Sequence, residues 1–140
     1  MLLDLTSLRK AISSLESALD FACSKEKLSG LSESQRRVVR AGVIQNFEFT
    51  YELCWKFMKR WLENNLGGVY VDGVSRRELF RLAAEHQLID DAERWMFYHQ
   101  WRNETAHIYD EVIAQEVFEA AIPFLDDAKI FLKRLESKND

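Results

Sequence analysis

Apolar residues recur at three- and four-residue intervals from almost the first position of the chain. Leu5, Leu8, Ile12, Leu15, Leu19 and Ala22 form one stripe, which predicts a first helix over roughly 4–27. Ser29-Gly30-Leu31-Ser32 punctuates the pattern, and Ser32 with Gln35 has the spacing of a capping box that opens a second helix. That helix is expected to reach about 65, where Asn64-Asn65 and Gly67-Gly68 stop it. At ~1.5 Å per residue it would span about 45 Å. A loop with Gly68 and Gly73 follows, and Ser75 with Glu78 caps a short third helix ending near His86. Asp90 or Asp91 opens a fourth, which carries Ala92, Trp95, Met96, Tyr98 and Arg102. The pattern breaks after 105, and Asp110 caps a further helical segment. Pro123 is expected to interrupt that segment near Ala121, because proline removes a backbone donor and crowds the preceding turn. Phe124, Leu125, Ala128, Phe131, Leu132 and Leu135 complete the pattern. No repeat or linker divides the chain, so 1–140 reads as one domain. The expected fold is all-α, an antiparallel up-and-down bundle of four to five helices.

The second helix has more aromatic surface than one core face needs. Turning about 100° per residue, Phe47, Tyr51, Trp55, Met58 and Leu62 share a face with Ile44. Phe49, Leu53 and Phe57 spread over the opposite side, with Trp61 between. A helix apolar nearly all round is buried nearly all round. The surplus around Phe49, Leu53 and Phe57 therefore predicts a homodimer whose interface includes this helix and the 95–109 segment, the alternative being that the short helices wrap it completely.

Composition narrows the classes. The apolar fraction of 47% and charged fraction of 30% exclude general disorder, and 5 Gly with 1 Pro leave little material for hairpins. Nineteen basic against 23 acidic residues give a net charge of -4, which argues against a constitutive high-affinity nucleic-acid binder but not against a local basic site. No apolar run approaches the roughly 18 residues that would cross a bilayer. Asp4 stands where a secretory signal wants basic residues. Cys23 and Cys54 have no partner pattern and are expected to be buried thiols of a cytoplasmic protein.

The stretch Trp101-Arg102-Asn103-Glu104-Thr105-Ala106-His107-Ile108-Tyr109 concentrates chemistry where the fourth helix ends. Arginine offers a planar, permanently charged fork for phosphate, and histidine can move a proton near neutral pH. Together they suit a phosphodiester and a ribose 2′-hydroxyl without a metal. In one unbroken helix Arg102 and His107 would lie about 140° apart, so a shared site needs a helix break or a second copy of the chain. Trp95, Tyr98, His99, Arg102 and Ala106 share a face, which makes His99 a candidate for the same cleft, with Glu48, Tyr51 and Glu52 of the second helix. The bland alternatives are an ordinary half-buried His99, a helix-end His86 and a plain helix stop at 102–109. Glu104-x-x-His107 has di-iron spacing but occurs once where such a site needs it twice, so no metal site is expected. Arg76, Arg77 and Arg81 on the third helix, or Arg36, Arg37 and Arg40 on the second, could touch a nucleic-acid backbone, but runs this short read as solvated faces.

Arg102-x4-His107-x-Tyr109, with Asn103 directly after the arginine, resembles the signature of HEPN domains. More narrowly, Gly42-Val43-Ile44-Gln45-Asn46-Phe47-Glu48-Phe49-Thr50-Tyr51-Glu52-Leu53-Cys54-Trp55-Lys56 resembles the family named as substrate-binding subunits of minimal nucleotidyltransferases. The similarity runs through essentially the whole chain, including Ile122-Pro123-x-Leu125. It implies a dimerising helical bundle and a partner encoded beside it. That partner is a small nucleotidyltransferase supplying the catalytic carboxylates, metal and ATP site, so no cofactor is expected in this chain. Two roles are described for the family: substrate-binding half of a transferase, and ribonuclease toxin neutralised by its partner. Carried over by position, Arg102 would hold the scissile phosphate of an RNA, His107 would transfer the proton and Asn103 would support the site. Tyr109 would lie within reach of AMP transfer from the partner. The alternatives are a catalytically silent binding subunit and a structural dimeric adaptor.

Overall fold

The computed structural model describes residues 2–139 and is helical throughout its regular elements. Six helices follow one another: α1 (Thr6–Ala22), α2 (Lys25–Leu28), α3 (Glu33–Leu66), α4 (Arg76–Glu85), α5 (Ala92–Glu104) and α6 (Glu111–Lys138), with 3-10 turns at Gly68–Tyr70 and Thr105–His107. The caps are those the sequence announces. Ser32 and Gln35 form a reciprocal capping box, Ser75 accepts from the Glu78 amide, and Asp91 and Asp110 cap α5 and α6. Gly67, at φ 97, ends α3 in a conformation that a side chain would strain.

Two boundaries differ from the expectation. The first helix does not run to 27. It ends at Ala22, and Ser24 turns to extended geometry, where its hydroxyl accepts from the Lys27 amide and starts the separate four-residue α2. Nor does Pro123 interrupt the last helix. α6 is continuous for 28 residues, because Ala121, Phe124, Leu125 and Ala128 bury one stripe across the proline. Burial on that scale outweighs the roughly 3 kcal/mol that an internal proline costs.

Side-chain pairings fix the directions. Thr50 on α3 bonds the Ala11 carbonyl of α1, and Ser14 bonds Asn46, so these helices are antiparallel. Arg134 of α6 pairs with Asp90 just before α5, and Tyr98 of α5 with Asp127 of α6, so these two helices likewise run antiparallel. α3 and α6 share one sense, since Arg40 meets Glu111 at one end and Trp61 reaches the Lys138 carbonyl at the other. They form a diagonal of the up-and-down bundle. Between them lies an aromatic core centred on Phe124, whose ring stands 5.0 Å from Phe47, 5.1 Å from Tyr98 and 5.6 Å from Trp95.

The surplus surface of α3 is smaller than its pattern suggests. Phe57 is 1% exposed, part of the core rather than of an outer face. Phe49 is 56% exposed and Leu53 is partly buried, so an apolar patch remains at those two positions. Cys54 is buried as expected, but Cys23 is exposed at the C-terminal cap of α1. Among the described residues no helix is long and apolar enough to cross a membrane.

Candidate functional site

α5 delivers Arg102 against two carboxylates of α3. Glu48 and Glu52 are one helical turn apart, so both project toward the same crossing point. Arg102 Nε lies 3.1 Å from Glu52 Oε1, and Nη1 lies 3.2 Å from Glu48 Oε2. Nη2 has no bonded partner among the described residues. The three side chains are 30%, 32% and 31% exposed, which makes this a half-buried cluster open on one side. Thr105 completes it. Its hydroxyl accepts from Arg102 Nη1 at 3.3 Å and sits 2.8 Å from the Arg102 carbonyl and 3.2 Å from Glu48 Oε2, one of which takes its proton.

The contact with the Arg102 carbonyl coincides with the end of α5. The chain tightens into the 3-10 turn Thr105–His107, which supplies the break that a shared Arg102/His107 site requires. His107 is exposed on that turn, and its ring meets Tyr109 edge-on at 6.2 Å between centroids. Tyr109 is 83% exposed, and Asn103 and Ala106 are also exposed. The structure therefore brings Glu48, Glu52 and Arg102 together. Within one copy it leaves His107 and Tyr109 on the solvent side, making no hydrogen bond to Arg102.

The other two candidates lie deeper. Tyr51 is fully buried, and its hydroxyl is 2.7 Å from His99 Nδ1. Burial pushes the Tyr51 phenol up and the half-buried His99 down from its ordinary value, with the nearby Arg76 charge adding to the latter. We assign the phenol as donor and the neutral imidazole as acceptor. This pair braces α3 against α5 behind the carboxylates. The face of α5 that the sequence assigns to a cleft is thus divided: Trp95 and Tyr98 are core, while His99 and Arg102 line its margin.

Sequence reasoning missed three participants. Thr105 stands three residues after Arg102, a spacing that would have pointed to it. Trp55 donates its indole N–H to Glu52 at 3.0 Å, and the Arg76 guanidinium covers its ring at 3.4 Å. Arg76 Nη1 is buried without a hydrogen-bond partner among the described residues. A groove of about 610 Å³ runs from Arg102 along Phe49, Leu53 and Lys56 to Ala11, joining the charged cluster to the exposed apolar patch. Among the described residues no group of three or more His, Cys, Asp or Glu is placed to hold a metal ion.

The family described as "Nucleotidyltransferase substrate binding protein like" matches residues 3–137. A probable ribonuclease HepT of Haemophilus influenzae is 35% identical over 102 residues, covering 71% of this chain and 68% of that protein. Among solved structures, one from Haemophilus influenzae, described as the fold of a substrate binding domain of a nucleotidyltransferase, superposes with a TM-score of 0.90. It is 30% identical, over 95% of this chain and 99% of that one. A Thermus thermophilus protein superposes with a TM-score of 0.72 at 28% identity, over 91% of this chain and 98% of that one. The match takes in α3 with its two carboxylates, the helix break and the turn beyond it, and the chain belongs to the nucleotidyltransferase substrate binding protein family.

Proposed function

We propose that this chain is the HEPN-type, substrate-binding component of a cytoplasmic pair with a small nucleotidyltransferase, and a toxin carrying a metal-independent ribonuclease site at Arg102 and His107. One observation carries the reading. A carboxylate-held Arg102 with an uncommitted Nη2 adjoins a helix break that leaves His107 exposed. The rigid arginine would bind a non-bridging phosphate oxygen, and the exposed histidine would exchange protons. A ribose 2′-oxygen attacks the adjacent phosphorus and the bond to the 5′-oxygen breaks. His107 takes the 2′-hydroxyl proton or supplies one to the leaving 5′-oxygen, and water makes the other transfer. The products are a 2′,3′-cyclic phosphate and a 5′-hydroxyl. Asn103, exposed beside Arg102, would steady the strand. The exposed Phe49 and partly buried Leu53 support a homodimer that buries this patch and completes the working site.

The partner would act on Tyr109. Its phenol oxygen attacks the α-phosphorus of ATP, pyrophosphate leaves, the phenol proton passes to solvent, and AMP remains on the tyrosine. The added phosphodiester competes for Arg102 and repels RNA phosphates. A second reading, the catalytically silent binding subunit, draws on the fact that two carboxylates already neutralise Arg102. The test is cleavage of end-labelled RNA in EDTA. The ribonuclease reading expects cyclic-phosphate products and a loss of about 10²–10⁴-fold in His107→Ala. Equal cleavage by the two proteins, or none by wild type, removes it. For control by the partner, intact mass after incubation with the nucleotidyltransferase, ATP and Mg²⁺ should show AMP on wild type and not on Tyr109→Phe.

A further inference from the structure

Beyond Arg102 the chain does not leave α3; it runs back along it. Thr105 touches Glu48, Ile108 and Tyr109 share a cleft with Ala41 and Ile44, and Glu111 pairs with Arg37 and Arg40. With a rise of about 1.5 Å per residue, Arg40 and Glu48 set the two ends of this strip about 12 Å apart along α3. The cleft at the far end has a volume of about 220 Å³, with Ile44 and Ile108 among its walls and Tyr109 at its side. One carboxylate bridges the two arginines there, and Glu33, one turn before Arg37, also pairs with Arg37 Nη2 at 3.0 Å. Glu111 Oε2 lies 2.8 Å from Arg40 Nη2, and Oε1 lies 3.3 Å from Arg37 Nε. Arg40 is 18% exposed, so its charge is held in place, whereas Glu111 is 59% exposed.

Such a partner is exchangeable, since an ion pair reaching into water contributes little. A phosphodiester presents the same pair of anionic oxygens, and arginine binds it through two parallel donors. Tyr109 beside it is a large aromatic ring left in water, the kind of platform on which an unpaired base stacks. We propose that this cleft is a flanking RNA subsite. A phosphodiester displaces Glu111 from Arg37 and Arg40, a neighbouring base stacks on Tyr109, and the strand leads past His107 to Arg102. The inference rests on the ribonuclease reading and adds the path of the strand along α3. No covalent step is involved.

The test is binding of a fluorescent single-stranded RNA with 2′-O-methyl riboses, which 2′-hydroxyl attack cannot cleave, followed by anisotropy from about 50 to about 200 mM salt. The Arg37→Ala/Arg40→Ala variant should bind roughly tenfold more weakly, with a log–log salt slope shallower by about 0.7 for each phosphate that it no longer neutralises. Tyr109→Ala should weaken binding roughly tenfold with the slope unchanged, because stacking releases no counterions. Glu111→Gln should bind several-fold more tightly, a gain that a misfolded variant cannot produce. Wild-type affinity and slope in the double arginine variant, weaker binding by Glu111→Gln, or no binding by wild type each overturns the subsite. Cleavage of unmodified RNA separates the two readings. His107-dependent cleavage with an unchanged double variant removes only the subsite. Arginine-dependent binding without cleavage removes only the ribonuclease.

Discussion

Arg102→Ala would leave two carboxylates facing each other across an empty position. In the wild type, Arg102 reaches Glu52 at 3.1 Å and Glu48 at 3.2 Å, with all three side chains about one-third exposed. That burial sits between two limits: ~0–1 kcal/mol for an exposed pair, and ~3–5 kcal/mol when one partner of a fully buried pair is removed. We take about 1 kcal/mol for each of the two contacts, discounted for solvent screening. The like-charge repulsion of Glu48 and Glu52 at i,i+4 adds ~0.3 kcal/mol once the arginine is gone. The expected loss is about 2 kcal/mol, or a Tm lower by about 6–10 °C for a domain of this size. Thermal and urea denaturation followed by circular dichroism reads it directly. Adding Glu48→Gln and Glu52→Gln to Arg102→Ala removes the uncompensated charge and should return the protein to within ~1 kcal/mol of wild type. If Arg102→Ala alone stays within ~0.5 kcal/mol of wild type, the carboxylates are not holding the arginine and the case for a rigid phosphate fork falls. The result also governs the cleavage assay, because Arg102→Ala reports on chemistry only below its own melting range.

His107→Ala and Tyr109→Phe change exposed side chains on a turn and should each leave unfolding within ~0.5 kcal/mol of wild type, measured in the same scans; a larger loss would mean these residues hold the fold. An aromatic disulfide reagent should label one thiol per native chain, the exposed Cys23, and reach the fully buried Cys54, whose thiol burial pushes up, only on unfolding. Two thiols reacting quickly in the native protein would contradict the packing around α3. His99 is held below its ordinary value by burial, so below about pH 6.5 the unfolded chain binds the proton more readily than the folded one. Its share of stability is present above that pH and lost as pH falls, and His99→Asn should therefore lose less stability than wild type between about pH 7.5 and about pH 5.5.

Helix existence and caps were legible because each depends on local chemistry. Ser32 with Gln35, Ser75, Asp91 and Asp110 satisfy amide groups within three residues of themselves. Pro123 misled because its local cost is opposed by burial along α6, which depends on residues distant in sequence. Phe57 misled for a similar reason: a helical projection assigns faces but cannot say how far neighbouring helices wrap them, and Phe57 is enclosed where Phe49 is not. Cys23 read as buried from residue type alone, and the early end of α1 places it outside. At the site, Arg102, His107 and Tyr109 stood out as residue types, and Glu48 and Glu52 as neighbours on one face. Their ion pairs with Arg102 belong to the crossing of α3 and α5, as do the Arg37 and Arg40 pairs with Glu111 to that of α3 and α6. Arg37 is indeed half exposed, but Arg40 is largely covered, which the sequence could not show because its partner Glu111 lies 71 residues away.

The turn that bears His107 and Tyr109 is anchored to one helix at both ends. Thr105 lies against Glu48 before it, and Glu111 pairs with Arg37 and Arg40 after it. The distance between these anchors is set by the rise of α3 and by α6 lying alongside it in the same sense, as the Arg40–Glu111 and Trp61–Lys138 pairs show, with Phe47 packed on Phe124 in the core. The turn is thus positioned by the core while contributing little to it. That separation allows its exposed residues to be modified or to contact a partner without unfolding the bundle. Arg102 differs, because it belongs to the cluster that anchors the turn and is coupled to stability through Glu48 and Glu52. On the control proposed above, a negative group on Tyr109 would act by competing for nearby arginines, while the bundle beneath stays as it was.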